Sequence, residues 1–88
     1  MFKVLEFWAV WCDPCKRQTP SVQEAKEKFG SYMSFERINV DEDIETSNKY
    51  GVRTLPTLIV LDQDNKEISR KTGAMDRYKL FEWIESLY

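Results

Sequence analysis

The chain has 88 residues, 42% hydrophobic and 14% aromatic, with 13 basic against 15 acidic side chains and a net charge of −2. That size supports one domain over residues 1–88, burying about 60% or more of its unfolded surface, and leaves no room for a second. The small charge excludes electrostatic capture of nucleic acid or anionic lipid, and no stretch approaches the roughly 18 apolar residues of a membrane span or a targeting run, so a cytoplasmic monomer is expected.

Residues 2–8 predict a strand of nearly continuous hydrophobicity, suited to the middle of a sheet covered on both faces. Glu6 is the exception. Unless it reaches solvent at the strand end, desolvation raises its pKa toward the range useful to a general base. Next comes Trp11-Cys12-Asp13-Pro14-Cys15, which holds the only two cysteines. Pro14 suits a first helical turn, where a missing N–H costs little. Cysteines i and i+3 at such a turn have Cα atoms roughly 5 to 6 Å apart, inside the window a disulfide tolerates, so the pair can open and close without moving the backbone. In a strand-helix-strand setting that spacing reads as a redox motif, whereas a secreted mini-protein would carry more cysteines. Cys12 faces the unpaired N–H groups and positive dipole end of the helix, which favours its anion and makes it the expected nucleophile. Cys15, one turn further in, points toward the core as the resolving thiol. Lys16 and Arg17 add positive charge nearby, and Asp13 a negative one between the sulfurs. A low pKa at Cys12 helps chiefly by making it a good leaving group when Cys15 resolves a mixed disulfide.

The helix is expected to run to about Phe29, with Val22, Ala25 and Phe29 facing the sheet, a kink at Pro20, and Gly30 at its end. A second strand follows over residues 33–40. Asp41-Glu42-Asp43 offer caps to a short helix over 44–50, closed by Gly51; they lack the ligand pattern of an EF-hand loop and read as caps rather than a cation site. Pro56 can open a third strand, where its lost N–H need not break the ladder. Residues 61–67 read as a hairpin turn into a strand over 67–72. Asp76 can cap a last helix with Leu80, Trp83, Ile84 and Leu87 as its buried stripe. Two cysteines without a histidine cannot complete a zinc site in a monomer, so no metal is expected.

The run from Phe7 to Lys16 resembles the thioredoxin active site, usually W-C-G-P-C-K, with Asp13 in place of the glycine. The resemblance covers nearly the whole chain. It implies an α/β protein with the minimal thioredoxin fold, βαβαββα, a four-stranded mixed sheet flanked by helices and lacking the extra N-terminal strand and helix. This would leave residues 33–40 at a sheet edge, where Ser34, Glu36 and Arg37 discourage stray pairing. It also implies a thiol-disulfide oxidoreductase that reduces protein disulfides, with Cys12 and Cys15 as its redox-active disulfide and no other cofactor. By the same resemblance Glu6 matches a buried aspartate beneath the resolving cysteine, with one extra methylene. Arg37 matches a lysine near that acid and would pull its pKa back down. Pro56 matches the cis proline facing the disulfide, and Thr54 and Leu55 the segment along which an extended substrate pairs. Gly73 and Ala74 lie beside the catalytic surface, and Trp11 belongs to the same face. Electrons would come from a flavoenzyme resembling thioredoxin reductase. A glutaredoxin-like protein reduced by glutathione is the alternative, since Thr54-Leu55-Pro56 resembles the T-V-P of glutaredoxins and Gly73-Ala74-Met75-Asp76 loosely resembles their G-G-x-D loop.

Overall fold

The computed structural model describes residues 1–88. Its elements are β1 (Phe2–Trp8), α1 (Asp13–Phe29), β2 (Met33–Asn39), α2 (Ile44–Lys49), β3 (Thr57–Leu61), β4 (Glu67–Thr72) and α3 (Arg77–Glu85). The four strands form one open mixed sheet in the order β2-β1-β3-β4. β1 pairs parallel with β2 and antiparallel with β3, and β4 runs antiparallel to β3. This is the minimal thioredoxin arrangement, with β2 at an edge.

Register places one end of every strand together. Phe7 stands opposite Thr57, Thr57 opposite Thr72, and Trp8 opposite Asn39. The loops that leave this end of the sheet therefore share one rim.

Alternation along β1 sends Val4 into the cluster beneath α1 and α3, with Val22, Ala25, Phe29, Leu58, Leu80, Trp83 and Ile84. Leu5 and Phe7 face the other way, into a smaller cluster with Ile38, Ile59 and Leu61 on the α2 side. Glu6 and Trp8 share the face of Val4 by the two-residue period of a strand.

Local sequence sets the boundaries. α1 begins at Cys12, an extended N-cap with φ −90° and ψ 101°, followed by Pro14 in the first turn, and it runs through the exposed Pro20 without ending. Gly30 terminates it with φ −67°, so the glycine is needed there for space rather than for a left-handed turn: a Cβ would collide with the Lys26 carbonyl oxygen. Of the three acids expected as caps, Asp43 alone caps α2, accepting from the N–H and hydroxyl of Thr46, which hold its carboxyl below the usual range. Gly51, with φ +63°, does take the left-handed conformation after α2 that glycine adopts freely. α3 is capped by the Asp76 carboxylate at the Lys79 N–H, and it ends at Glu85, so Leu87 packs against the cluster from beyond the helix.

Candidate active site

The shared rim carries both cysteines. They form a disulfide, with Cα atoms 5.3 Å apart. Together with Ala9 they make a small buried cluster, packed against Trp8, Val40 and Leu55. Cys12 is only 4% exposed and Cys15 1%, so a partner must approach Cys12 through a narrow opening. The Cys15 N–H donates to Cys12 Sγ at 3.2 Å. That donor is one of the free N–H groups at the start of α1, and it points where negative charge on this sulfur would sit.

Trp11 is two-thirds exposed, and its indole N–H donates to Asp41 Oδ2 at 2.8 Å. This corrects the expectation for Asp41. Sequence placed it among the helix caps, but its partner lies 30 residues away and belongs to the redox motif. Asn39 braces it in turn, its Oδ1 accepting from the Asp41 N–H.

Glu6 lies buried in the central strand, with its side chain 3% exposed. Arg37, its register partner on β2, donates Nε–H to Oε1 at 3.0 Å, while Oε2 has no partner. Burial pushes the carboxyl above its ordinary value, and the Arg37 charge and hydrogen bond pull the other way without overcoming it. Both influences are expected from the residue types, and in the fold burial outweighs the Arg37 charge. Arg37 also stacks on Trp8, its guanidinium carbon 4.2 Å from the ring centroid.

The Leu55–Pro56 peptide is cis. Pro56 is buried, while Leu55 is half-buried against the cysteine cluster. Neither the N–H nor the carbonyl of Leu55 makes a hydrogen bond, whereas the Thr54 carbonyl accepts from the Thr57 hydroxyl at 2.5 Å. Gly73, at φ +85°, donates its N–H to the Pro56 carbonyl at 2.8 Å, which brings the exposed Ala74 to the same rim. Asp13, Lys16 and Arg17 are exposed on the first turns of α1, Asp13 and Lys16 at 3.9 Å from one another. Pro14 is half-buried between them and the cysteines. The rim thus brings together Trp11, the two cysteines, Thr54, Leu55, Pro56, Gly73 and Ala74, while Glu6 and Arg37 lie behind it in β1 and β2.

Gln18 escaped the sequence reading. It is wholly buried, and its Oε1 accepts from the Met75 N–H at 2.7 Å, tying α1 to the loop after β4. The signal was present, because Cys15, Gln18, Val22, Ala25 and Phe29 form one helical stripe.

The thioredoxin family model matches residues 2–86. Thioredoxin of Rhodospirillum rubrum is 40% identical over 82 residues, 93% of this chain and 78% of that protein. Thioredoxin of Bacillus subtilis is 38% identical over 79 residues, 90% of this chain and 75% of that one. Among solved structures, the germline-specific thioredoxin Deadhead of Drosophila melanogaster superposes with a TM-score of 0.91 at 34% identity, covering 99% of this chain and 81% of its own. The glutaredoxin alternative finds less support, since these relatives are thioredoxins. A disulfide three residues across at the start of a helix, on the rim of this sheet and in a sequence so related, places the chain in the thioredoxin family of thiol-disulfide oxidoreductases, whose redox group is the Cys12–Cys15 disulfide itself.

Proposed function

We propose that the whole chain acts as a single cytoplasmic domain and a monomer, with Cys12 the attacking thiol and Cys15 the resolving one. The Cys15 N–H aimed at Cys12 Sγ carries this assignment, because it favours a thiolate at Cys12 alone. The Cys12 thiolate attacks one sulfur of a target disulfide, forming the Cys12–target bond and expelling the other target sulfur as a thiolate, which takes a proton. Cys15 then attacks Cys12 Sγ and expels the second target sulfur. The target gains two electrons and two protons, and the Cys12–Cys15 disulfide forms.

Glu6 acts as the general base for Cys15. Its buried carboxyl, raised above its ordinary value by desolvation and with Oε2 free, suits a group that must take up and release a proton. Arg37 keeps part of the ionised population available. The unpaired backbone of Leu55, beside Thr54 and Pro56, offers an extended target segment a strand partner. Gly73 and Ala74 border that segment on the β4 side and Trp11 on the β2 side. Asp13, Pro14 and Lys16 tune the sulfurs from the first helical turn.

Targets are disulfide-bearing proteins, and electrons are returned by a flavoenzyme of the thioredoxin reductase class rather than by glutathione. Trapping tests the division of labour. A Cys15→Ser variant, mixed with a disulfide-bearing target, accumulates a stable mixed disulfide through Cys12, and a Cys12→Ser variant accumulates none. Trapping by Cys12→Ser alone would reverse the roles, and no adduct with either variant would refute nucleophilic exchange.

A further inference from the structure

Two grooves of opposite charge open on either side of the redox rim. One, of about 780 Å³, lies between β2 and α2 and is lined in part by Trp8, Glu36, Arg37, Glu42 and Asp43. Arg37 is engaged with buried Glu6, and no basic side chain pairs with Glu36, Glu42 or Asp43. Their charge is uncompensated, and the exposed Asp41 adds to it. The other groove, of about 450 Å³, lies between α1 and the start of α3 and is lined by Arg17, Ser21, Ala74, Met75, Asp76, Arg77 and Lys79. Here Arg77 is paired with Glu24 at 2.8 Å, and the Asp76 carboxylate, although it accepts from the Lys79 N–H, keeps its charge and offsets part of the positive charge. Arg17 and Lys79 have no acidic partner.

Strand order places these grooves on opposite flanks of Leu55. The acidic one borders β2, the basic one follows β4, and the free backbone of Leu55 leads into β3 between them. Each touches the site itself: Trp8 packs against the cysteine cluster, and Ala74 follows Gly73, which is bonded to Pro56. An extended segment advances about 3.3 Å per residue, so one that crosses the rim at Leu55 from the β2 flank to the β4 flank would set the few residues before and after its cysteine over opposite grooves.

We propose that the protein reads the charge polarity of its targets: the segment it prefers carries acidic residues on the flank over Arg17 and Lys79, and basic residues on the flank over Glu36, Glu42 and Asp43. This rests on the pairing of targets along Leu55 proposed above. Charges at an exposed rim act mainly on encounter and orientation, are individually weak, and are screened by salt. Acting together, they set a preference of about three- to tenfold between the right and the reversed polarity.

Two peptides of equal composition test this, each a homodimer joined by one disulfide. One has an Asp-Glu pair before its cysteine and a Lys pair after it; the other has the two pairs exchanged. The pre-reduced protein is mixed with each at low ionic strength, and the second-order rate is followed by Trp fluorescence. One peptide is expected to react about three- to tenfold faster, the ratio to approach one at 0.5 M salt, and an Arg17→Glu, Lys79→Glu variant to shrink or invert it. Equal rates at low salt, or a ratio untouched by the variant, overturn the polarity inference while leaving disulfide exchange standing. Failure to reduce either peptide overturns the exchange reading, and the inference with it.

Discussion

Against one face of the sheet, α1 and α3 bury a continuous cluster of ten residues that runs from Val4 to Ile84; against the other, the surroundings of α2 complete only five, helped by the half-buried Val40, Tyr50, Val52 and Leu55. The helices differ in the same sense, 17 residues in α1 against six in α2. The buried acid lies on the α1 side and Cys15 on α1 itself, while the α2 side reaches the cysteines through the half-buried Val40 and Leu55 and adds Asp41 at the rim. Fixed geometry is thus invested where sulfur and proton must be held, and thin cover is left where the rim meets partners.

The largest test of that contrast is a pair of truncations. Phe29→Ala removes a buried ring from the α1–α3 cluster and should cost about 3–5 kcal/mol. Val52→Ala, half-buried on the α2 side, should cost less than about 1 kcal/mol. Urea unfolding of both variants measures it. Equal losses would mean that the two faces are equally consolidated.

Glu6 is the one buried acid in the thick face, so Glu6→Gln sharpens the contrast from inside. Burial raises the native carboxyl above its unfolded value, so the folded state holds this proton more tightly than the unfolded state. Its contribution to stability is fully present below the unfolded pKa and is lost as pH rises through the raised native value. Wild type should therefore lose stability over that window, while Glu6→Gln shows no such fall and is the more stable of the two at pH 8. The difference grows by about 1.4 kcal/mol for each unit of native shift. Resolution of the mixed disulfide should meanwhile slow on the order of 100-fold, the ordinary contribution of a positioned base. Thermal melts against pH, with stopped-flow resolution rates, separate the two roles. A stability change without a rate change would leave Glu6 merely buried.

From the thin side, Asp41→Ala should act on the rim alone. Releasing the Trp11 indole should lower kcat/KM a few-fold, with stability within about 0.5 kcal/mol of wild type, as for exposed surface changes. Trp fluorescence and target kinetics report it. A loss of several kcal/mol would show that the α2 side is more firmly built than its cluster suggests.

Features with a local signature were legible in the sequence. A nearly continuous apolar run placed β1, helical spacing placed α1 and α3, Pro14 marked the first turn of α1, and the cysteine spacing was compatible with a disulfide. The α1 stripe could have been extended back to Gln18 by the same periodicity. Pairings across the fold were not legible, because a hydrogen bond between Trp11 and Asp41, or between Trp83 Nε1 and Ser69 at 2.8 Å, depends on which loops and faces the sheet brings together. Arg37 shows the intermediate case. Resemblance placed it near Glu6, but its stacking on Trp8, and the balance between its charge and the burial of Glu6, needed coordinates.

The smallest effect belongs to Asp13, which sits on α1 but outside its core. Its side chain is 81% exposed, and Lys16 at 3.9 Å offsets part of its charge. A carboxylate there disfavours nearby thiolates, hence the reduced form, and makes the dithiol a stronger reductant. Asp13→Gly should raise the reduction potential, by only about 10 mV given solvent screening, since 30 mV corresponds to about 1.4 kcal/mol for two electrons. The rise should increase with pH as thiolates form, and vanish in 1 M salt, where the screening length falls to about 3 Å. Glutathione equilibration across that pH and salt range measures it, with Asp13→Asn as the companion. If Asn reproduces the rise, charge is the cause; if Gly alone does, the effect lies in backbone freedom at the first helical turn, and the electrostatic account of this position fails.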